Sequence, residues 1–184
     1  MTTHNPYDKH VQALHELILS GRDLPLGPFP ARKGPGDTGA SRVLLFSPHP
    51  DDECITGALP LRLMREDGMH VTNVAVTLGS DRARRDARWK ELNDACAWLG
   101  WDVIQTRDGG LEKINPEGRA DDPSAWAQAC GRIREILADV QPEVIFFPHE
   151  RDWNRTHVGT HLLVMDALAG MPAEFTCRLV ETEY

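Results

Sequence analysis

Two short, unbroken apolar runs constrain this chain more than anything else in it: Val43-Leu44-Leu45-Phe46 and Val144-Ile145-Phe146-Phe147. Each is too short for a helix and lacks polar alternation, the pattern of a strand covered on both faces. The residues after the first run read as a helix to Arg65, stopped by Gly68, and Val71 to Leu78 reads as a second strand. Arg85 to Leu99 is helical, with Trp89, Leu92, Ala95, Cys96 and Leu99 on one face and Gly100 closing it. Asp102 to Thr106 is a short third strand, and a loop rich in Gly, Asp and Pro runs on to Pro123. Ser124 is placed to cap a helix to Asp139. The second apolar run is the fourth strand, a helix follows from about Thr156 to Leu168, and Phe175 to Val180 is the fifth strand. Strands alternating with helices imply right-handed crossovers and a mostly parallel sheet. The expected fold is a doubly wound, three-layer α/β domain.

Ahead of this body, Val11, Leu14, Leu17 and Ile18 recur at helical spacing from Asp8 to Ser20, and Gly21 is expected to end the turn. Pro25, Pro28, Pro30 and Pro35 follow, interleaved with Gly27, Gly34, Gly36 and Gly39, which excludes regular structure there. The reading is an N-terminal helical arm and linker over 1–41 and one folded domain over 42–184. The arm is expected to dock on its own domain or on a second copy, making a homo-oligomer.

Charge narrows the partners. Twenty basic against 28 acidic residues leave a net charge of -8, a poor match for nucleic acid or an anionic membrane. One local basic cluster, Arg82, Arg84, Arg85 and Arg88, runs against that trend. Cys54, Cys96, Cys130 and Cys177 form no C-x-x-C pair, so neither a zinc ribbon nor a disulfide framework is indicated. Cys96 and Cys130 sit in apolar helical patterns as small hydrophobes. The polar N-terminus lacks a signal-peptide core, and no apolar run reaches the length of a membrane span. The expectation is a cytoplasmic protein.

In a doubly wound sheet, ligands bind beyond the carboxyl ends of the strands. The loop after the first strand, Ser47-Pro48-His49-Pro50-Asp51-Asp52-Glu53, crowds one His and three carboxylates together. Imidazole plus carboxylate suits zinc or another divalent transition metal. His49 and Asp52 lie three apart across a turn, and the remaining Asp51 belongs where a general base would stand. Spacing alone does not separate the roles of Asp51 and Asp52. An acidic cluster is also the ordinary content of a helix N-terminus. The loop after the fourth strand carries His149, Asp152, His157 and His161 at the same sheet edge, so a His there would complete three ligands and leave a position open, as in catalytic zinc sites. His157 and His161 are spaced like H-E-x-x-H, but Val158 replaces the Glu, and a solvated helix face is the plain alternative. A dinucleotide site would need G-x-G-x-x-G after the first strand, where the chain has Pro48-His49-Pro50-Asp51 instead.

Val43 to Glu53, ending Pro48-His49-Pro50-Asp51-Asp52-Glu53, resembles the signature of the PIG-L/LmbE-like zinc-dependent N-deacetylases. The likeness continues through Thr77-Leu78-Gly79, Arg88-Trp89-Lys90-Glu91-Leu92 and the segment from Asp152 to Thr160, and covers about Arg42 to Tyr184. It implies a Rossmann-like fold and removal of an N-acetyl group from an N-acetylglucosamine-type small-molecule conjugate. It also implies Zn2+ (or iron, cobalt or nickel) held by His49, Asp52 and His157, with Asp51 as general base. Many members read His-Pro-Asp-His where this chain has Asn154-Arg155-Thr156-His157, the first His there helping to stabilise the oxyanion or protonate the amine. Asn154 therefore replaces a His and can donate to an oxyanion but cannot act as an acid. Either Asp51 makes both proton transfers, or His149 or His161 reaches in. Asp152 and Glu53 are expected behind the ligands and Arg88 at the substrate. Trp153 offers a sugar-stacking surface, while Trp89, Trp98 and Trp126 are expected in the core. The competing readings are an amidohydrolase for another N-acylated small molecule and a catalytically weakened metal-binding interaction protein. The body is short for the family and its last strand lies at the chain end, so the domain is expected to be incomplete there.

Overall fold

The computed structural model describes residues 7–22 and 41–184, which fall in two units, Met1–Ala31 and Arg32–Tyr184. In the first, α1 (Asp8–Arg22) runs through Gly21 rather than ending at it. The Pro/Gly-rich linker lies outside the described residues.

The second unit holds β1 (Arg42–Ser47), α2 (Asp52–Thr56), α3 (Ala58–Glu66), β2 (His70–Ala75), α4 (Arg85–Leu99) and β3 (Asp102–Gln105). It continues with α5 (Pro116–Asp121), α6 (Pro123–Val140), β4 (Val144–Pro148), α7 (Arg155–Ala169) and β5 (Arg178–Thr182). The five strands form one sheet in the order β3-β2-β1-β4-β5, with every pairing parallel. Both apolar runs are central strands, which is why neither alternates. Leu44, Phe46, Ile145 and Phe147 face α6 and α7, where Trp126, Ile133, Leu137 and Leu163 meet them. Val43, Leu45, Val144 and Phe146 face the opposite layer, against Leu92, Cys96 and Trp101. Successive residues thus feed two cores, each fully buried large side chain contributing about 1.5–3 kcal/mol.

Several boundaries differ from expectation, each for a local reason. The helix expected to run to Arg65 breaks at Gly57, where a Cβ would stand 2.7 Å from the Trp101 ring. The loop before Pro123 contains α5, capped by Asn115 Oδ1 accepting from the Gly118 N–H at 2.7 Å, with Pro116 in its first turn. Asp122, not Ser124, caps α6 by accepting from the Ala125 N–H. β2 stops at Ala75, and Thr77 instead bridges antiparallel to Gly110. β5 begins at Arg178, while Phe175 packs partly buried against the α6–α7 core. Trp126 is buried and Trp89 packs half-buried, but Trp98 is exposed, because α4 turns Leu92, Cys96 and Leu99 inward.

Strand order decides where a ligand can enter. The chain lays down β1, β2 and β3 outward in one direction, then returns to place β4 on the other side of β1. The loops after β1 and β4 therefore leave neighbouring strand ends in opposite directions, opening the crevice where ligands of such sheets bind.

Candidate metal centre

The loop after β1 is tied down before it delivers any side chain. Pro48 O accepts from both the Thr77 N–H and the Thr77 hydroxyl, at 3.1 and 2.7 Å, and Pro50 O accepts from Arg88 Nη2 at 3.0 Å. Asp51 sits at φ 112°, a backbone conformation costly for a residue with a Cβ. Its N–H is held at 2.9 Å by Glu53 Oε2, so buried Glu53 serves the strained turn from behind. That turn sends Asp52 back beneath the loop, where Oδ2 accepts from the His49 N–H at 2.8 Å.

The loop after β4 is built as carefully. Asn154 caps α7, its Oδ1 accepting from the Thr156 N–H at 2.8 Å. Asp152 Oδ1 accepts from the Asn154 N–H at 2.8 Å, and its Oδ2 accepts from His157 Nδ1 at 3.1 Å. With Nδ1 committed to Asp152, His157 turns Nε2 across the crevice toward the β1 loop.

Three donor atoms then meet. His49 Nδ1 lies 3.3 Å from Asp52 Oδ2, His157 Nε2 lies 3.4 Å from the same oxygen, and the two ring nitrogens are 3.3 Å apart. A tetrahedral ion with bonds of about 2.0–2.1 Å separates its ligands by about 3.3–3.4 Å. The triangle has the dimensions of one face of such a tetrahedron, so the residues present fit a small divalent ion. Among the described residues His49, Asp52 and His157 are the group so placed.

The electrostatics agree. Burial alone would raise the Asp52 pKa, but hydrogen bonds from His157 and His49 outweigh it and hold the carboxyl at about 2. Burial alone would lower the His157 pKa, but Asp52 and Asp152 on either side push it up.

The other expected residues fall around this triangle. Asp51 stands outside it, its carboxylate largely exposed and 3.6 Å from Arg88 Nη2. Arg88 thus contacts both Pro50 and Asp51, and it passes so close to Gly79 that a Cβ there would meet Nη1 at 2.3 Å. Trp153 is 80% exposed beside Asp152. His149 Nε2 lies 3.3 Å from Glu181 on β5, and His161 Nδ1 donates to Pro148 O at 3.0 Å. Both rings are thus engaged at the β4–β5 side.

Tyr184 escaped the sequence reading. Its ring packs at a tilt on the His157 ring, with centroids 4.3 Å apart, and its hydroxyl is buried. Burial pushes that phenol up to about 12. The available signal was topological: a fifth parallel strand must also end at this edge.

The sheet and the triangle together define an α/β domain with a mononuclear metal-site geometry at its switch point. Residues 44–168 match the family model described as PIG-L, GlcNAc-PI de-N-acetylase, and the chain belongs to that family. It is 30% identical over 168 residues to a 1D-myo-inositol 2-acetamido-2-deoxy-alpha-D-glucopyranoside deacetylase of Streptomyces griseus, covering 74% of this chain and 52% of that protein. It is also 30% identical over 148 residues to a probable N-acetyl-alpha-D-glucosaminyl L-malate deacetylase 2 of Bacillus cereus, covering 72% and 63%. The N,N'-diacetylchitobiose deacetylase structure from Pyrococcus horikoshii shares the fold at a TM-score of 0.55 and 18% identity, covering 95% of this chain and 63% of that one. The chain spans about half to two thirds of the length of these relatives.

Proposed function

We propose that this chain is a metal-dependent N-deacetylase that hydrolyses the acetamide of an N-acetylglucosamine-type small-molecule conjugate, with zinc at His49, Asp52 and His157. The donor triangle is the observation that carries the reading, and the relatives' named activities support it. When bound, the ion supplies Lewis-acid polarisation of the amide carbonyl and lowers the pKa of water. Asp51 accepts a proton from the attacking water and returns it to the departing amine, so that acetate and a free amino sugar leave. Arg88 acts through Asp51, holding the strained turn at Pro50 O. Asn154 has its Oδ1 committed to the α7 cap, which leaves its amide N–H groups to donate to the oxyanion. Trp153 offers a flat apolar face to the sugar ring. Among the described residues no helix is long and apolar enough to cross a membrane. We assign the activity to the cytoplasm, the deacetylase domain to 42–184 and the arm to 1–41. A panel of N-acetylglucosaminides and N-acetyl peptides, read by release of free amine, tests the assignment. Turnover confined to the peptides overturns the sugar reading.

The hydrogen bond from His157 to Asp152 fixes which ring nitrogen faces the ion. Asp152→Asn is expected to lower zinc affinity about 10- to 100-fold, because the amide orients the ring less strongly and weakens its basicity. Competition against a chelator of known affinity reads that change; unchanged affinity removes Asp152 from this role.

Proton linkage gives a second expected result. In the metal-free chain, the His157 contribution to stability is fully present below its ordinary pKa of 6.5 and is lost as pH rises through its raised folded value. The Asp52 contribution is present above its ordinary 3.8 and is lost as pH falls toward about 2. Zinc needs His157 neutral, so its affinity moves the opposite way to His157's contribution. Raising the pH from about 6.5 to 8.5 is expected to lower the metal-free melting temperature while the increment added by zinc grows. A zinc increment independent of pH would contradict His157 as a ligand.

A further inference from the structure

The donor triangle has two unlike flanks. On the β2 side His49 lines a cavity of about 360 Å³, walled by Thr77, Gly79 and Ser80 after β2 and by Leu111 to Asn115 after β3. Exposure follows that opening: the His49 side chain is 19% exposed, against 4% for His157 and 5% for Asp52. On the β5 side the donors are buried, and the ring packed against them is Tyr184.

Tyr184 reaches that place because the end of β5 is pinned to the β4 loop. The Thr182 hydroxyl donates to Phe147 O at 3.2 Å, and Thr182 O accepts from the His149 N–H at 3.0 Å. Glu181 lies 3.3 Å from His149 Nε2 and 3.8 Å from His161 Nδ1. Two residues past Thr182, the Tyr184 ring meets His157 with centroids 4.3 Å apart and planes at 59°. Its hydroxyl is buried beside Thr56 and Thr182, without a well-formed hydrogen bond among the described residues, so the ring rather than the hydroxyl makes the contact.

That contact supplies what the hydrogen bond to Asp152 lacks. The bond from His157 Nδ1, at 3.1 Å, fixes which nitrogen faces the triangle. A single hydrogen bond still lets an imidazole tilt about the bond axis. An aromatic ring packed on its face removes that freedom, and an apolar wall there governs how water reaches the ligands.

We propose that Tyr184 is a positioning residue of the metal centre. Its ring keeps His157 in the donor triangle and bars water from the β5 side, so that the ion is reached only through the cavity on the β2 side. The inference rests on the metal-dependent reading of the site.

Cobalt(II) tests it without turnover, because its visible absorption is strong in four-coordinate sites and weak once further water adds. The full chain is titrated with Co2+, and zinc affinity is read by competition against a chelator. Tyr184→Phe is expected to keep the wild-type spectrum and affinity. Tyr184→Leu fills the space without a flat face, and is expected to weaken zinc about tenfold and lower the visible absorption. In the zinc-loaded chain kcat falls with KM unchanged, since the cavity lies on the other flank. A role in folding alone predicts a lower melting temperature with unchanged spectrum and affinity, and that result overturns the inference. Tyr184→Phe as impaired as Tyr184→Leu overturns it too, because the ring is then not the group that matters. Should Tyr184→Leu not fold, Tyr184→Met takes its place under the same criteria. Wild-type chain that takes up neither cobalt nor zinc overturns the metal reading and this inference together, whereas equal metal binding by wild type and Tyr184→Leu overturns the inference alone.

Discussion

Replacing His157 by alanine is expected to empty the metal site, reducing bound zinc from about one equivalent per chain to below about one tenth. Deacetylation falls with it, by about 10³-fold or more. The effect is large because His157 does three things at once. Its Nε2 is one vertex of the donor triangle, its Nδ1 pairs with Asp152, and its ring packs against Tyr184. Alanine leaves two buried carboxylates, Asp52 and Asp152, without the partner that offsets their desolvation. His157→Gln keeps a polar side chain there and separates loss of metal from loss of fold. Metal analysis of the purified variants, with circular dichroism as the check on folding, gives the answer. Zinc retained at full stoichiometry in both would remove His157 from the ligand set.

Asp51→Asn is expected to behave in the opposite way, keeping the metal and losing about 10²- to 10⁴-fold in kcat. Asp51 contributes no atom to the triangle, so its charge can be removed without touching a ligand. The choice of asparagine matters at φ 112°, since Asn tolerates positive φ better than other residues with a Cβ. Alanine there would add backbone strain to the chemical loss and confuse the two. Metal content and single-turnover amine release on the same preparation separate the roles. A variant with metal and full activity would contradict the assignment of Asp51 as base.

The sheet was readable in the amino-acid sequence because β1 and β4 are its centre. Strands buried on both faces have no choice but to be apolar throughout, as Leu44, Leu45, Ile145 and Phe146 are. α5 was not readable because its Pro116 and Gly118 look like a turn until Asn115 is seen capping them. The break at Gly57 follows from contact with Trp101, more than forty residues away in the sequence, and no local propensity encodes that. At the site, the pairing of His49 with Asp52 was visible as a spacing. The separation of Asp51 from Asp52 was not, because it depends on the strained turn and on Glu53 holding the Asp51 N–H. Tyr184 was invisible for a further reason. It reaches the crevice through the register of β5 on β4, which is a tertiary fact.

Whether the triangle is a catalytic zinc site comes down to acetate release from an N-acetylglucosaminide, measured before chelation, after it, and after zinc is added back. Acetate and free amine should appear one for one, vanish on chelation and return with zinc. Hydrolysis that persists in the chelated chain, or a zinc-loaded chain that releases no acetate, would contradict it.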